Sequence, residues 1–118
     1  MTTIQLNIGL ENNPFKGVEI LSILSSLPIF NVTKESRTMA RTVTGTYNGE
    51  PEETVVIKAS MEDDMDITLT IEVLCDWFKQ ECIAIKLTNS DHTIGRLIYH
   101  PSFDGEKQEF NEKYFINF

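Results

Sequence analysis

The side chains in this 118-residue chain that most invite a chemical role are two histidines, His92 and His100, and two arginines, Arg37 and Arg41. An imidazole titrates near neutrality and can move a proton that lies within hydrogen-bond reach. Arg37 and Arg41 share strand parity with Met39 and Val43, so an unbroken strand puts both guanidiniums on one sheet face. Such a pair can clamp a carboxylate or a phosphate. The same arginines can equally pair with acids across strands. His92 follows Asp91 in a turn and His100 precedes Pro101, settings in which a solvated histidine is ordinary. These four residues are the candidate ligand- or anion-binding set. No residue is assigned a catalytic role.

Other patterns resolve into structure. Glu62, Asp63, Asp64 and Asp66 resemble a cation site, but the alternate-position acids, central glycine and terminal glutamate of a calcium loop are out of register. Helix capping accounts for the same acids. Cys75 and Cys82 have no adjacent histidine or basic group, form no C-x-x-C motif and read as free structural thiols. Ser22, Ser25 and Ser26 lack a nucleophile elbow. Gly45 and Gly49 fall in a strand and a turn, and there is no phosphate-binding glycine loop. The expectation is no metal and no cofactor.

The net charge of −8 is unevenly placed. Residues 1–50 balance four basic against four acidic residues, whereas 51–118 hold six basic and fourteen acidic. Such a chain lacks the positive footprint that meets phosphates, so nucleic acid is disfavoured as a partner. No apolar run approaches the roughly 20 residues of a membrane span. Two thiols and no basic n-region point to a reducing, cytoplasmic location.

The elements that must position these residues are legible as alternation and stripe. Thr2 to Leu10 alternates apolar and polar, which predicts a half-buried strand, and Gly9 near its end permits close backbone approach. Asn13 as N-cap and Pro14 at the first helical position predict a helix carrying Val18, Leu21 and Leu24. Ile29 to Tyr47 reads as one long strand, or two segments joined near Glu35-Ser36 by a bulge. Asn48-Gly49 predicts a hairpin turn, with pairing resuming after Pro51. Thr54 to Ala59 is almost continuously apolar, as in a strand well inside a sheet.

Ser60-x-x-Asp63 reads as a capping box opening a helix of about 16 residues. Its stripe is Ile67, Ile71, Leu74 and Phe78, widened by Val73 and Trp77, and Cys75 lies at the margin. Strands at 82–88 and 93–99 pair as a hairpin, and the apolar C-terminus docks on the fold. The order β-α-β-β-α-β defines an α+β, ferredoxin-like sandwich in one domain, 1–118. Two helices cover one face of an antiparallel sheet, the first and third strands are central, and the extra C-terminal hairpin extends it. The opposite face is left open.

Ile8-Gly9-Leu10, Glu53-Thr54-Val55-Val56 and Gln80-Glu81-Cys82-Ile83-Ala84-Ile85 resemble strand and helix boundaries of small, uncharacterised bacterial and phage-type ferredoxin-like proteins. The resemblance spans about residues 4–87 and implies the fold and a bacterial or mobile-element origin, with no activity or site residues. The functional expectation is a non-enzymatic interaction module, partnered by another protein or by itself as a homodimer. The alternative is a small enzyme with a pocket on the open face that uses histidine and arginine. A third reading is an acidic inhibitor imitating nucleic acid.

Overall fold

The structure, a computed structural model, describes residues 2–32, 41–47, 50–63, 66–90 and 92–115. The alternation at the N-terminus forms β1 (Thr2–Gly9), in which Ile4, Leu6 and Ile8 are wholly buried while Thr3 faces out. After it come α1 (Gly17–Ser26), β2 (Asn31–Val32), β3 (Arg41–Tyr47), β4 (Glu50–Met61), α2 (Thr68–Trp77), β5 (Cys82–Thr88) and β6 (Thr93–Tyr99). A 3-10 turn, Glu112–Tyr114, follows.

β1 and β4 are central neighbours, paired antiparallel from Thr2↔Met61 to Gly9↔Thr54. β5 flanks β1 and β6 flanks β5, while β2 and β3 both pair with the other side of β4, all antiparallel. This is the ferredoxin-like order, with the long second strand in two pieces and β6 added at the far edge. Between Val32↔Ala59 and Arg41↔Val56 the register advances nine residues on one side and three on the other. The expected bulge at Glu35-Ser36, the Asn48-Gly49 turn and the last residues 116–118 lie outside the described residues.

One core joins both helices to one sheet face. Ile20 and Leu24 of α1 and Ile71, Leu74 and Cys75 of α2 cluster with Phe78, with Ile4, Leu6 and Ile8 of β1 and with Val55, Ile57 and Ala59 of β4. β4 has apolar residues on both faces because Val56, on the open side, is also buried.

Several boundaries differ from the sequence expectation. α1 begins at Gly17, not after Asn13, because the Asn13 side chain builds its own turn: its Oδ1 accepts from Phe15 N–H at 2.9 Å and its Nδ2 donates to the Gly9 carbonyl at 3.0 Å. β4 starts before Pro51, which pairs with Thr46; the ring is tolerated because β1 has already ended at the level of Thr54. α2 is ten residues long, not about 16. Asp63 does not cap it but accepts from the Thr2 hydroxyl at 2.7 Å, and Asp66 receives the Thr68 N–H at 3.0 Å. Val73 and Trp77, expected in the core stripe, are 41% and 44% exposed, since they fall on the outer side of the shortened helix with Leu69.

The C-terminal segment folds back over the open face at β5 and β6. Tyr99 stacks on Phe103 with centroids 4.8 Å apart, and its hydroxyl accepts from Gln108 N–H at 2.8 Å. Phe110 seats on Gly95, where an added Cβ would lie 2.1 Å from the ring. Gly95→Ala is therefore expected to lift residues 106–115 off the sheet at a cost of about 1–3 kcal/mol. Hydrogen exchange should show that segment, and not β1 or β4, losing protection.

Candidate functional site

The odd residues of β1 face away from the helices, and their registered partners define the open face. Gln5 lies between Lys58 and Lys86, and Asn7 between Val56 and Ala84. Gln5 is only 6% exposed and its Nε2 donates to Asn7 Oδ1 at 3.0 Å. A polar lane thus runs along β1, bounded by small or apolar neighbours at the Asn7 level. It is set in an otherwise acidic molecule.

Acceptor oxygens converge at the Gly9 end of this lane. A Cβ on Gly9 would lie 1.9 Å from Glu52 Oε1 and 2.7 Å from Gln80 Oε1, so both oxygens occupy the space a side chain here would claim. Gln80 is 8% exposed. Its Nε2 donates to the carbonyls of Phe78 at 2.9 Å and Glu11 at 3.2 Å, which fixes the amide and turns Oε1 towards Gly9. Burial pushes the Glu52 carboxyl above its ordinary value. The carboxylates of Glu11 and Glu81 push the same way, and the Glu11 N–H, donating to it, pulls back. Perturbed carboxyls of this kind concentrate at functional sites. The arrangement is acceptor-rich and suits hydroxyl, amino or cationic groups of a ligand. Among the described residues, no three or more His, Cys, Asp and Glu are grouped to hold a metal ion.

Of the sequence candidates, His92, His100 and Arg41 are set apart from one another along and across the sheet. His92 is exposed in the β5–β6 turn, where its backbone N–H donates to Asn89 Oδ1 at 3.0 Å. His100 follows the other end of β6, about 25 Å away along the strand at about 3.3 Å per residue. Its Nδ1 accepts from Ser102 N–H at 3.0 Å, so Nε2 carries the proton and donates to Asp76 Oδ1 at 3.0 Å. Both ring nitrogens are engaged in tying the C-terminal loop to α2. Arg41 stands on β3 opposite Val56, separated from β6 by β4, β1 and β5, and Arg37 lies outside the described residues. A pocket near His92, also lined by Met61, Leu87 and Ile94, has a volume of about 150 Å³. Ligand pockets run from about 300 Å³ upward, so this one is smaller than a typical small-molecule site.

The hydrogen bond from His100 holds the Asp76 carboxyl below its ordinary range, with the charge of Lys79 adding to the effect. A depressed carboxyl stabilises the fold above its unfolded pKa, and that contribution is lost as pH falls through the folded value. The melting difference between wild type and Asp76→Asn should therefore be largest near neutral pH and vanish in strong acid, as thermal melts across pH would show. Cys75 is fully buried, and burial first, then Cys82 and Glu72, push its thiol up to about 12, in keeping with a structural thiol.

Sequence reasoning missed Glu52, Gln80 and Glu11, which are far apart in the chain. The available signal was Gly9, whose need for close approach is met by side chains and not by backbone.

An α+β, ferredoxin-like sandwich with a polar lane on its open face is the class of protein defined so far. No family model matches the chain, and no curated protein matches it. Two solved structures do resemble it. One is a phage SAM lyase in complex with S-methyl-5'-thioadenosine, with a TM-score of 0.59, 13% identity and coverage of 87% of this chain and 92% of that one. The other is a phage SAM lyase in the apo state, with a TM-score of 0.52, 16% identity and the same coverage, 87% and 92%. At these identities the likeness is one of fold. It nevertheless corrects the expectation of a non-enzymatic interaction module and the leaning against an enzyme. The fold that matches over nearly the whole of both chains is an enzyme's, and a missing linear motif does not exclude a site assembled across strands.

Proposed function

We propose that this protein is a small enzyme that binds SAM and cleaves it in the manner of a lyase. The observation that carries the reading is the likeness to the phage SAM lyase bound to S-methyl-5'-thioadenosine, spanning 87% of this chain. Both structures are of phage proteins, which fits the phage-type kinship suggested by the strand boundaries.

SAM holds a sulfonium between an adenosine and an amino-acid chain. In a lyase reaction the bond from sulfur to that chain breaks, and its electron pair goes to sulfur, leaving neutral S-methyl-5'-thioadenosine. The departing carbon is closed within its own fragment, by its carboxylate oxygen or by loss of a neighbouring proton, so no water is consumed. The positive charge on sulfur disappears along this path. A carboxylate held directly against sulfur would favour the substrate over the transition state. Glu52 and Gln80 are better placed on adenosine, accepting from ribose hydroxyls or the adenine amino group. A carboxylate accepting two hydroxyls makes charge-assisted bonds that fix the nucleoside.

The sheet-face enzyme proposed here differs from a histidine–arginine pocket in its residues: His100 is committed to Asp76 and Ser102. A thermal melt in the presence of S-methyl-5'-thioadenosine tests the reading, since a ligand that binds only the folded state raises Tm. The expected result is a concentration-dependent rise with S-methyl-5'-thioadenosine and none with adenine-free methionine. No rise with either would count against the proposal.

A further inference from the structure

We propose that the row Lys58–Gln5–Lys86 on the open face is a carboxylate subsite, and that it takes the amino-acid end of the substrate while the acceptors over Gly9 take the adenosine end. This rests on the reading of the protein as SAM-binding. Gln5 is registered with Lys58 on one side and Lys86 on the other, so all three side chains leave the same face in one line. The two lysine Cα atoms are therefore about 10 Å apart, at about 5 Å per strand pair, and both four-carbon stems can lean over Gln5. Two lysines in one row run against the charge of a chain with 18 acids and 10 basic residues.

A carboxylate already sits at this row. Glu112, on the C-terminal segment, pairs with Lys86 Nζ, and the Phe115 ring centroid lies 5.5 Å from the same nitrogen. Lys86 is 17% exposed and Glu112 59%, so the pair opens to solvent on the Glu112 side. The structure thus places an internal carboxylate where a ligand's would go, and the two compete. Gly9 lies four residues from Gln5 along β1, about 13 Å at about 3.3 Å per residue. That is the span of a nucleoside joined to an extended amino-acid chain. It also places the sulfur over Asn7, away from both charged ends.

Two uncleavable thioethers separate this subsite from the rest of the site: S-adenosylhomocysteine, which carries the amino-acid end, and S-methyl-5'-thioadenosine, which lacks it. Their Kd values are measured by calorimetry on the full chain. Lys58→Met and Lys86→Met, which keep the stems' packing, should each weaken S-adenosylhomocysteine about tenfold and leave S-methyl-5'-thioadenosine within about twofold. Lys58→Arg and Lys86→Arg should restore binding. Glu112→Gln should tighten S-adenosylhomocysteine alone. Equal losses for both thioethers, no loss for either, or weaker binding in Glu112→Gln would overturn the subsite. If wild type binds S-methyl-5'-thioadenosine but not S-adenosylhomocysteine, the subsite fails and the nucleoside reading stands. If it binds neither, both fall.

Discussion

Glu52→Gln is expected to lower kcat/KM for SAM by about 10- to 100-fold, through KM, while slightly raising Tm at neutral pH. The two effects share one cause. Glu52 keeps a carboxyl partly out of water, beside Glu11 and Glu81, and its pKa is raised accordingly. A raised carboxyl stabilises the fold only while protonated; that contribution is present below the unfolded pKa and lost as pH rises through the folded one. At neutral pH the ionised group is therefore a net strain on the fold, which the neutral amide relieves. Function moves the other way. A hydrogen bond to a charged group contributes about 1.5–3 kcal/mol, and each 1.36 kcal/mol is tenfold in rate. The melting gain should disappear below the unfolded carboxylate range, where wild type is itself protonated. A variant that lost both activity and stability would mark Glu52 as structural, and the trade-off would not hold.

Phe78→Ala is expected to have the largest effect on stability. Phe78 is fully buried just past the end of α2, its N–H bonds the Leu74 carbonyl at 2.9 Å, and its ring meets Phe15 edge-on with centroids 5.8 Å apart. Truncating a buried phenylalanine costs about 3–5 kcal/mol. A domain of this size has about 5–15 kcal/mol in all, so the loss is a large share. Tm should fall by about 10–20 °C. Phe15→Ala should cost less, because Phe15 is only half buried. Denaturant melts of the two variants give the comparison; equal losses would mean the pair, and not the core, carries the stability.

The architecture was open to reading because it depends on local periods. Alternation in β1 and the unbroken apolar run in β4 marked the two central strands, and their pairing follows from burial. Polar side chains with two possible uses were harder to place. Asn13 and Asp63 have the chemistry of helix caps, but each found a partner nearer in space, the Gly9 carbonyl and the Thr2 hydroxyl. Trp77 lies off the arc shared by Ile71, Leu74, Cys75 and Phe78 at about 100° per residue, so it is turned outward. The candidate site was the least legible part. The Glu52 and Gln80 side-chain oxygens meet over Gly9, with the Glu11 backbone beside them, only once the chain is folded, and nothing in linear spacing announces it. The Lys58–Gln5–Lys86 row is likewise a product of three-strand register. His92 and His100 drew notice by residue type, yet β6 holds them at opposite ends.

Turnover is the most direct test. Purified protein is incubated with SAM, and the mixture is resolved by chromatography with mass detection, alongside the Glu52→Gln variant. Loss of SAM with matching appearance of S-methyl-5'-thioadenosine, slowed in the variant, is the predicted result. SAM that remains intact at high enzyme concentration would contradict the proposed activity.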